Sequence, residues 1–144
     1  MSGLILKNIN KSFTQGKHNI QALKNINLEV KSGEIAALIG PSGSGKTTLL
    51  QIAGLLDDPD SGSIAINDHQ LSLVDLKSND KEKTFLRRNN LGFIYQSHNL
   101  LPEFTALENI AMPLLIKGVS KSESFKKAEN ILLDIDLINR KDHR

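Results

Sequence analysis

The chain has 144 residues, 39% of them hydrophobic, with 10 glycines, a formal net charge of +2 and no cysteine. That length suits a single domain with a core of its own, and the charge is too small to point to nucleic acid. Without cysteine there are no disulfides and no thiolate metal sites. Met1 to Lys11 lacks a signal-peptide pattern, and no stretch approaches the roughly 18 apolar residues of a membrane span. A role at a membrane is therefore expected to run through a partner, without direct insertion.

Residues 3–10 read as a strand, with Leu4, Ile5, Leu6 and Ile9 apolar. Lys11 to Asn19 is polar and contains Gly16, the signal for a loop or hairpin turn. Phe13 sits inside it. A large aromatic there either folds onto the neighbouring strands or offers a face on which a base stacks. Asn25-Ile26-Asn27-Leu28-Glu29-Val30 alternates polar and apolar, the period of a half-exposed antiparallel strand. Lys31-Ser32-Gly33 then turns into Glu34-Ile35-Ala36-Ala37-Leu38-Ile39, whose apolar run reads as a buried strand.

Gly40-Pro41-Ser42-Gly43-Ser44-Gly45-Lys46-Thr47 follows at once. It fits G-x-x-x-x-G-K-[ST], the phosphate-binding loop, in the strand-then-helix context the motif requires. The helix after it shows Leu49, Ile52, Ala53 and Leu56 on one face. Glycine lets the backbone approach a ligand closely, so that successive amides form an anion nest at the positive end of the helix dipole. Lys46 brings a full charge to the β- and γ-phosphates, Thr47 offers a hydroxyl to Mg²⁺, and Thr48 is placed to donate to the α-phosphate. The competing reading is a Gly/Ser-rich surface turn that precedes a lysine by chance. The context favours a nucleoside triphosphate, ATP with Mg²⁺.

Asp57-Asp58-Pro59-Asp60-Ser61-Gly62 is a dense turn signal, and Ser63-Ile64-Ala65-Ile66 a short returning strand. Lys77 to Asn90 carries a local positive excess. It reads as a solvated helix face; a nucleic-acid patch is the weaker alternative, because no aromatics interleave. Leu91-Gly92-Phe93-Ile94-Tyr95 is a second buried-strand candidate, ending at Gln96. Leu100, Leu101 and Phe104 then place much apolar area on an irregular stretch, either buried under the domain or docking another protein. Thr105-Ala106-Leu107-Glu108 is a capping box. The helix it opens shows Leu107, Ile110, Ala111, Leu114 and Leu115 on one face, with Pro113 expected to bend it or end it early. Ser120-Lys121-Ser122-Glu123 opens a second helix, expected to bury Phe125, Ala128, Ile131, Leu132, Ile135 and Ile138. Ile131-Leu132-Leu133-Asp134 imitates the acid-tipped end of a Mg²⁺-binding strand, but cap and spacing make it helix.

The order of aromatic, phosphate loop and strand ending in glutamine resembles the ATP-binding subunits of ABC transporters. The stretch from Leu91 to Leu115 is similar to the ATPase of the lipoprotein-releasing (Lol) system, and macrolide-export and cell-division relatives share part of it. The resemblance implies an α/β phosphate-loop NTPase fold of the ABC type. Its parts would be an antiparallel β-subdomain (1–33), a phosphate-loop core (34–96) and the start of a helical subdomain (97–144). It implies that Phe13 stacks on adenine and that Gln96 contacts Mg²⁺ and the attacking water. It implies further that residues 97–116 face integral-membrane subunits, and that two ATPase subunits pair around two ATP on the cytoplasmic face of the inner membrane.

The same resemblance implies a continuation beyond Arg144, into a signature motif, a strand ending in Asp-Glu and a switch histidine. None of these is found here; His18, His69, His98 and His143 do not match the switch position and read as surface residues. Residues 1–144 alone are therefore expected to hydrolyse ATP very slowly and, lacking the strands that separate the phosphate-loop strand from the Gln96 strand, to fold poorly. Two alternatives are a nucleotide-binding remnant without activity and a soluble phosphate-loop kinase, although no lid of arginines is evident.

Overall fold

The computed structural model describes residues 2–16, 18–67, 69–71, 79–97 and 99–144; Lys77 and His98, singled out above, lie outside the described residues. The chain divides into two compact units, residues 1–91 and 92–144.

The first unit is built on a four-stranded antiparallel sheet in the order β2-β1-β3-β4. β1 spans Ser2–Gln15 and β2 spans His18–Lys31. They form one long hairpin, running from Ser2 opposite Lys31 to Gln15 opposite His18. Phe13 is thus a strand residue, paired with Ile20, and not a loop residue as its polar surroundings suggested. Fourteen-residue strands carry the hairpin through the polar stretch by ladder pairing, and where the register slips side chains take the freed amides, as Asn27 Oδ1 does for Asn8 and Asn10 Oδ1 for Asn25. β3 (Ser61–Ile66) and β4 (His69–Leu71) extend the layer on the other side of β1, so it draws on strands well beyond residue 33.

Two helices cover the inner face: α1 (Lys46–Ala53) and α2 (Asp80–Asn90). Leu6, Ile9, Leu23, Leu49, Ile52, Leu55, Ile64, Ile66, Leu71 and Leu86 form one buried cluster beneath them. The expected face of α1 shifts at its end. Gly54 caps the helix and Leu55 takes a left-handed φ of 58°, so Leu55 is buried and Leu56 is left in solvent. On α2 the positive face is not wholly solvated. Lys83 is buried and its ammonium meets Asp58 and Asp80, each at 3.0 Å. Burial opposes its charge, yet the hydrogen bonds to Asp58 and Asp80 outweigh that and hold its pKa above the usual lysine value.

The two apolar stretches expected as buried strands behave differently. Glu34–Ile39 carries no ladder, with Ile35 97% and Ile39 90% exposed, and Phe93–Tyr95 is likewise unpaired, with Ile94 fully exposed. Apolar composition supplies something to bury; a strand also needs a neighbour for its amides and carbonyls, and among the described residues none lies alongside. An open apolar cavity of about 320 Å³ runs between residues 36–38, α1 and the sheet, lined by Leu4, Leu28, Val30, Leu38 and Leu50 among others.

The second unit is a helical pair, α3 (Ala106–Ile116) and α4 (Lys121–Asp134), followed by a short 3₁₀ turn at Ile138–Arg140. Thr105 and Glu108 form the full reciprocal capping box. Hydrogen bonding from the Thr105 backbone N–H and then its hydroxyl holds the Glu108 carboxyl below its usual pKa. Pro113 neither ends α3 nor prevents three further residues of helix. Of the second box only half forms. The Ser120 hydroxyl accepts from the Glu123 amide, while the Glu123 side chain pairs instead with Lys127 at 2.8 Å. Leu107, Ala111, Ala128 and Leu132 make the buried seam. Ser124 is buried along the same line, whereas Ile131 and Ile135 face solvent, a correction to the expected face of α4. Asp134 closes α4 and is not a strand tip.

Candidate functional site: the phosphate loop and its aromatic wall

Gly40 to Gly45 leave the extended segment and enter α1 at Lys46. Gly43 and Gly45 hold φ of 80° and 87°, the left-handed region that side chains resist. The Ser44 amide donates to the Pro41 carbonyl at 3.3 Å and closes the turn. A Cβ on Gly45 would stand 2.6 Å from the Ala22 carbonyl of β2, so the loop rests directly on the hairpin. Gly45 is the N-cap of α1 and offers no side-chain hydrogen bond. The first-turn amides therefore have no capping side chain, which suits an anion from outside the chain.

Lys46 Nζ donates to the carbonyls of Gly40 at 2.8 Å and Pro41 at 2.6 Å, with Ser44 Oγ at 3.4 Å. The ammonium is thus folded over the loop it follows. Around it opens a cavity of about 510 Å³ lined by Phe13, Ala22, Ser42, Gly43, Gly45, Lys46, Thr47 and Thr48. That volume lies within the roughly 300–1,000 Å³ of small-molecule sites. The combination of bare amides, one ammonium, two threonine hydroxyls and an aromatic ring fits a polyphosphate carrying a flat base.

Of the residues expected from sequence, the cavity gathers Phe13, Ser42, Gly43, Gly45, Lys46, Thr47 and Thr48. Gly40, Pro41 and Ser44 serve from behind, as acceptors for Lys46. Gln96 belongs to the other unit and is exposed. Ala22 was not anticipated. Nothing in its type marks it, and only the register of the hairpin brings its carbonyl under Gly45. On the second unit, Leu100, Leu101, Phe104 and Ile116 are each exposed.

A sequence model of the family described as ABC transporter matches residues 23–144. The lipoprotein-releasing system ATP-binding protein LolD of Paramagnetospirillum magneticum is 46% identical over 142 residues, covering 99% of this chain and 61% of that protein. The LolD of Ehrlichia canis is 55% identical over 133 residues, covering 92% of this chain and 57% of that one. Among solved structures, a dimeric ATP-binding cassette, MJ0796, in a post-hydrolysis state bound to ADP and Pi superposes with a TM-score of 0.86. It is 39% identical, covering 98% of this chain and 61% of that one. The chain spans about three fifths of the length of these relatives. With a family match over 23–144 and the phosphate loop, hairpin and helices in place, the chain belongs to the ABC transporter family.

Proposed function

We propose that the chain is the nucleotide-binding part of an ABC ATPase that drives release of lipoproteins from a membrane. One observation carries the nucleotide reading. One cavity is lined by the loop residues Ser42, Gly43, Gly45 and Lys46 together with Phe13. The amides of residues 42–46 hold the β-phosphate, and Lys46 pairs with the β- and γ-phosphates once it leaves the Gly40 and Pro41 carbonyls. Thr48 donates to the α-phosphate. The Thr47 hydroxyl would be one ligand for Mg²⁺, and the ion would supply neutralisation of phosphate charge. For the complete protein, the family resemblance would give Gln96 the contact with Mg²⁺ and the attacking water. Phe13 stacks on adenine.

The lipoprotein assignment rests on the relatives, each named as a lipoprotein-releasing ATP-binding protein. Those names favour it over macrolide export, cell division, a soluble kinase or an inactive remnant. The complete protein would work as a homodimer of ATPase subunits at the cytoplasmic face of the inner membrane. Residues 97–116 would dock on integral-membrane subunits through Leu100, Leu101, Phe104 and Ile116, with no part for nucleic acid. No helix among the described residues is long and apolar enough to cross a membrane. The division into residues 1–33, 34–96 and 97–144 is part of the same proposal.

The test is calorimetric titration of the chain with MgATP, beside Lys46→Ala. The substitution should weaken binding about 10- to 100-fold, the scale of losing a hydrogen bond to a charged group. Equal uptake by both proteins would overturn the reading.

A further inference from the structure

The lysine two residues before Phe13 belongs to no motif, yet its ammonium is held at two oxygens beside the aromatic of the nucleotide cavity. Lys11 has a side chain only 12% exposed. Its ammonium donates to Asp57 Oδ1 at 2.7 Å and to the Asp58 carbonyl, both on the loop that follows α1. The same ammonium stands over the Phe13 ring, 5.3 Å from its centroid.

The backbone around Lys11 is irregular. The register of β1 against β2 slips on both sides of it, between Ile9 and Lys11 and again between Lys11 and Ser12. Such bulges re-aim the side chains that follow and recur beside functional sites. The aspartate loop holds this irregular stretch in place. Asp60 Oδ2 accepts from the Ser12 amide at 2.7 Å, and the Asp60 amide donates to the Asn10 carbonyl at 2.8 Å. Asp58 is held in turn by Lys83 of α2. From Ser12 onward the ladder is regular, and Phe13 reaches the cavity.

We infer that Lys11 is a positioning residue for the base-contacting wall. Anchored by Asp57, it fixes one face of the Phe13 ring and leaves the other for a stacking base. This rests on the nucleotide reading of the cavity. It adds that the loop after α1, which lines no part of the cavity, sets affinity for the base and not for the phosphates.

The test compares MgATP with magnesium tripolyphosphate, which lacks a base, by calorimetry on the chain. Lys11→Met keeps the stem and removes the charge. It should weaken MgATP about three- to fivefold, the lower end of what a cation–π contact is worth, and leave tripolyphosphate unchanged. Phe13→Ala should show the same split, and the double variant should bind MgATP no more weakly than Phe13→Ala alone. Lys11→Arg should restore most of the MgATP affinity, because a guanidinium also reaches Asp57 and sits over a ring. Asp57→Asn, which leaves the cation but loosens its anchor, should move MgATP in the same direction and tripolyphosphate not at all. If Lys11→Met matches wild type on MgATP while Phe13→Ala does not, the positioning role is overturned and the nucleotide site stands. Equal weakening of both ligands by Lys11→Met overturns it as well. If the wild-type chain takes up neither ligand, the nucleotide reading fails first and this inference with it.

Discussion

β1 opens with the apolar run Leu4-Ile5-Leu6, the segment Glu34–Ile39 is as apolar, and the two meet opposite fates. β1 lies between two partners, β2 and β3, and sends Leu6 and Ile9 into the core. The other stretch has no ladder, and Ile35 and Ile39 stand in solvent. The hydrophobic effect acts on both alike. What separates them is whether a neighbour exists to take the amides and carbonyls, since a backbone is buried only when its polar groups are satisfied.

The contrast can be broken by truncating one isoleucine in each region. Ile64→Ala, in the core on β3, should cost about 4 kcal/mol, within the range for large-to-small core changes. Ile35→Ala should stay within about 0.5 kcal/mol. Denaturant unfolding of both variants reads the difference, and a large loss at Ile35 would mean that the segment packs after all. Gly62→Ala probes the paired side through the backbone. Its φ is 110°, and an added Cβ would meet the Lys7 and Asn8 carbonyls at 2.5 and 2.7 Å, so about 3 kcal/mol should be lost. On the unpaired side the sign reverses. Ile39→Lys should leave the unfolding midpoint in place and lower light scattering on concentration, because a charge blunts an open apolar edge.

The same rule of paired against unpaired groups extends to helix ends. Thr105 completes its capping box and Ser120 only half of one, so Thr105→Ala should cost about 1 kcal/mol and Ser120→Ala less. The Thr105 box also titrates. Because the Glu108 carboxyl is held below its ordinary value of 4.5, its contribution is present above that pH and lost as pH falls through the lowered value. Amide exchange at the start of α3 should quicken in that acid window. Glu108→Gln should flatten the response.

The phosphate loop was legible because glycine, lysine and threonine are required there by chemistry, whatever the rest of the chain does. The capping box of α3 was legible for the same local reason. Phe13 was misplaced in a loop because its neighbours are polar, and only the register of a fourteen-residue hairpin makes it a strand residue. Leu55 and Leu56 exchanged roles because a left-handed residue after Gly54 turns the chain, which helical periodicity does not foresee. Lys83 and Lys11 look like surface charges in sequence. Asp80 lies one helical turn from Lys83, but Asp58 lies 25 residues from Lys83 and Asp57 46 from Lys11, and those two pairings are written only in the fold.

The close seat of Gly45 against the Ala22 carbonyl bears on how a ligand is felt. The hairpin that carries Phe13 is also the platform on which the loop stands, leaving no slack joint between the two halves of the cleft. A tilt of that platform would shift both grips together, so ligand uptake should stiffen the hairpin along its length.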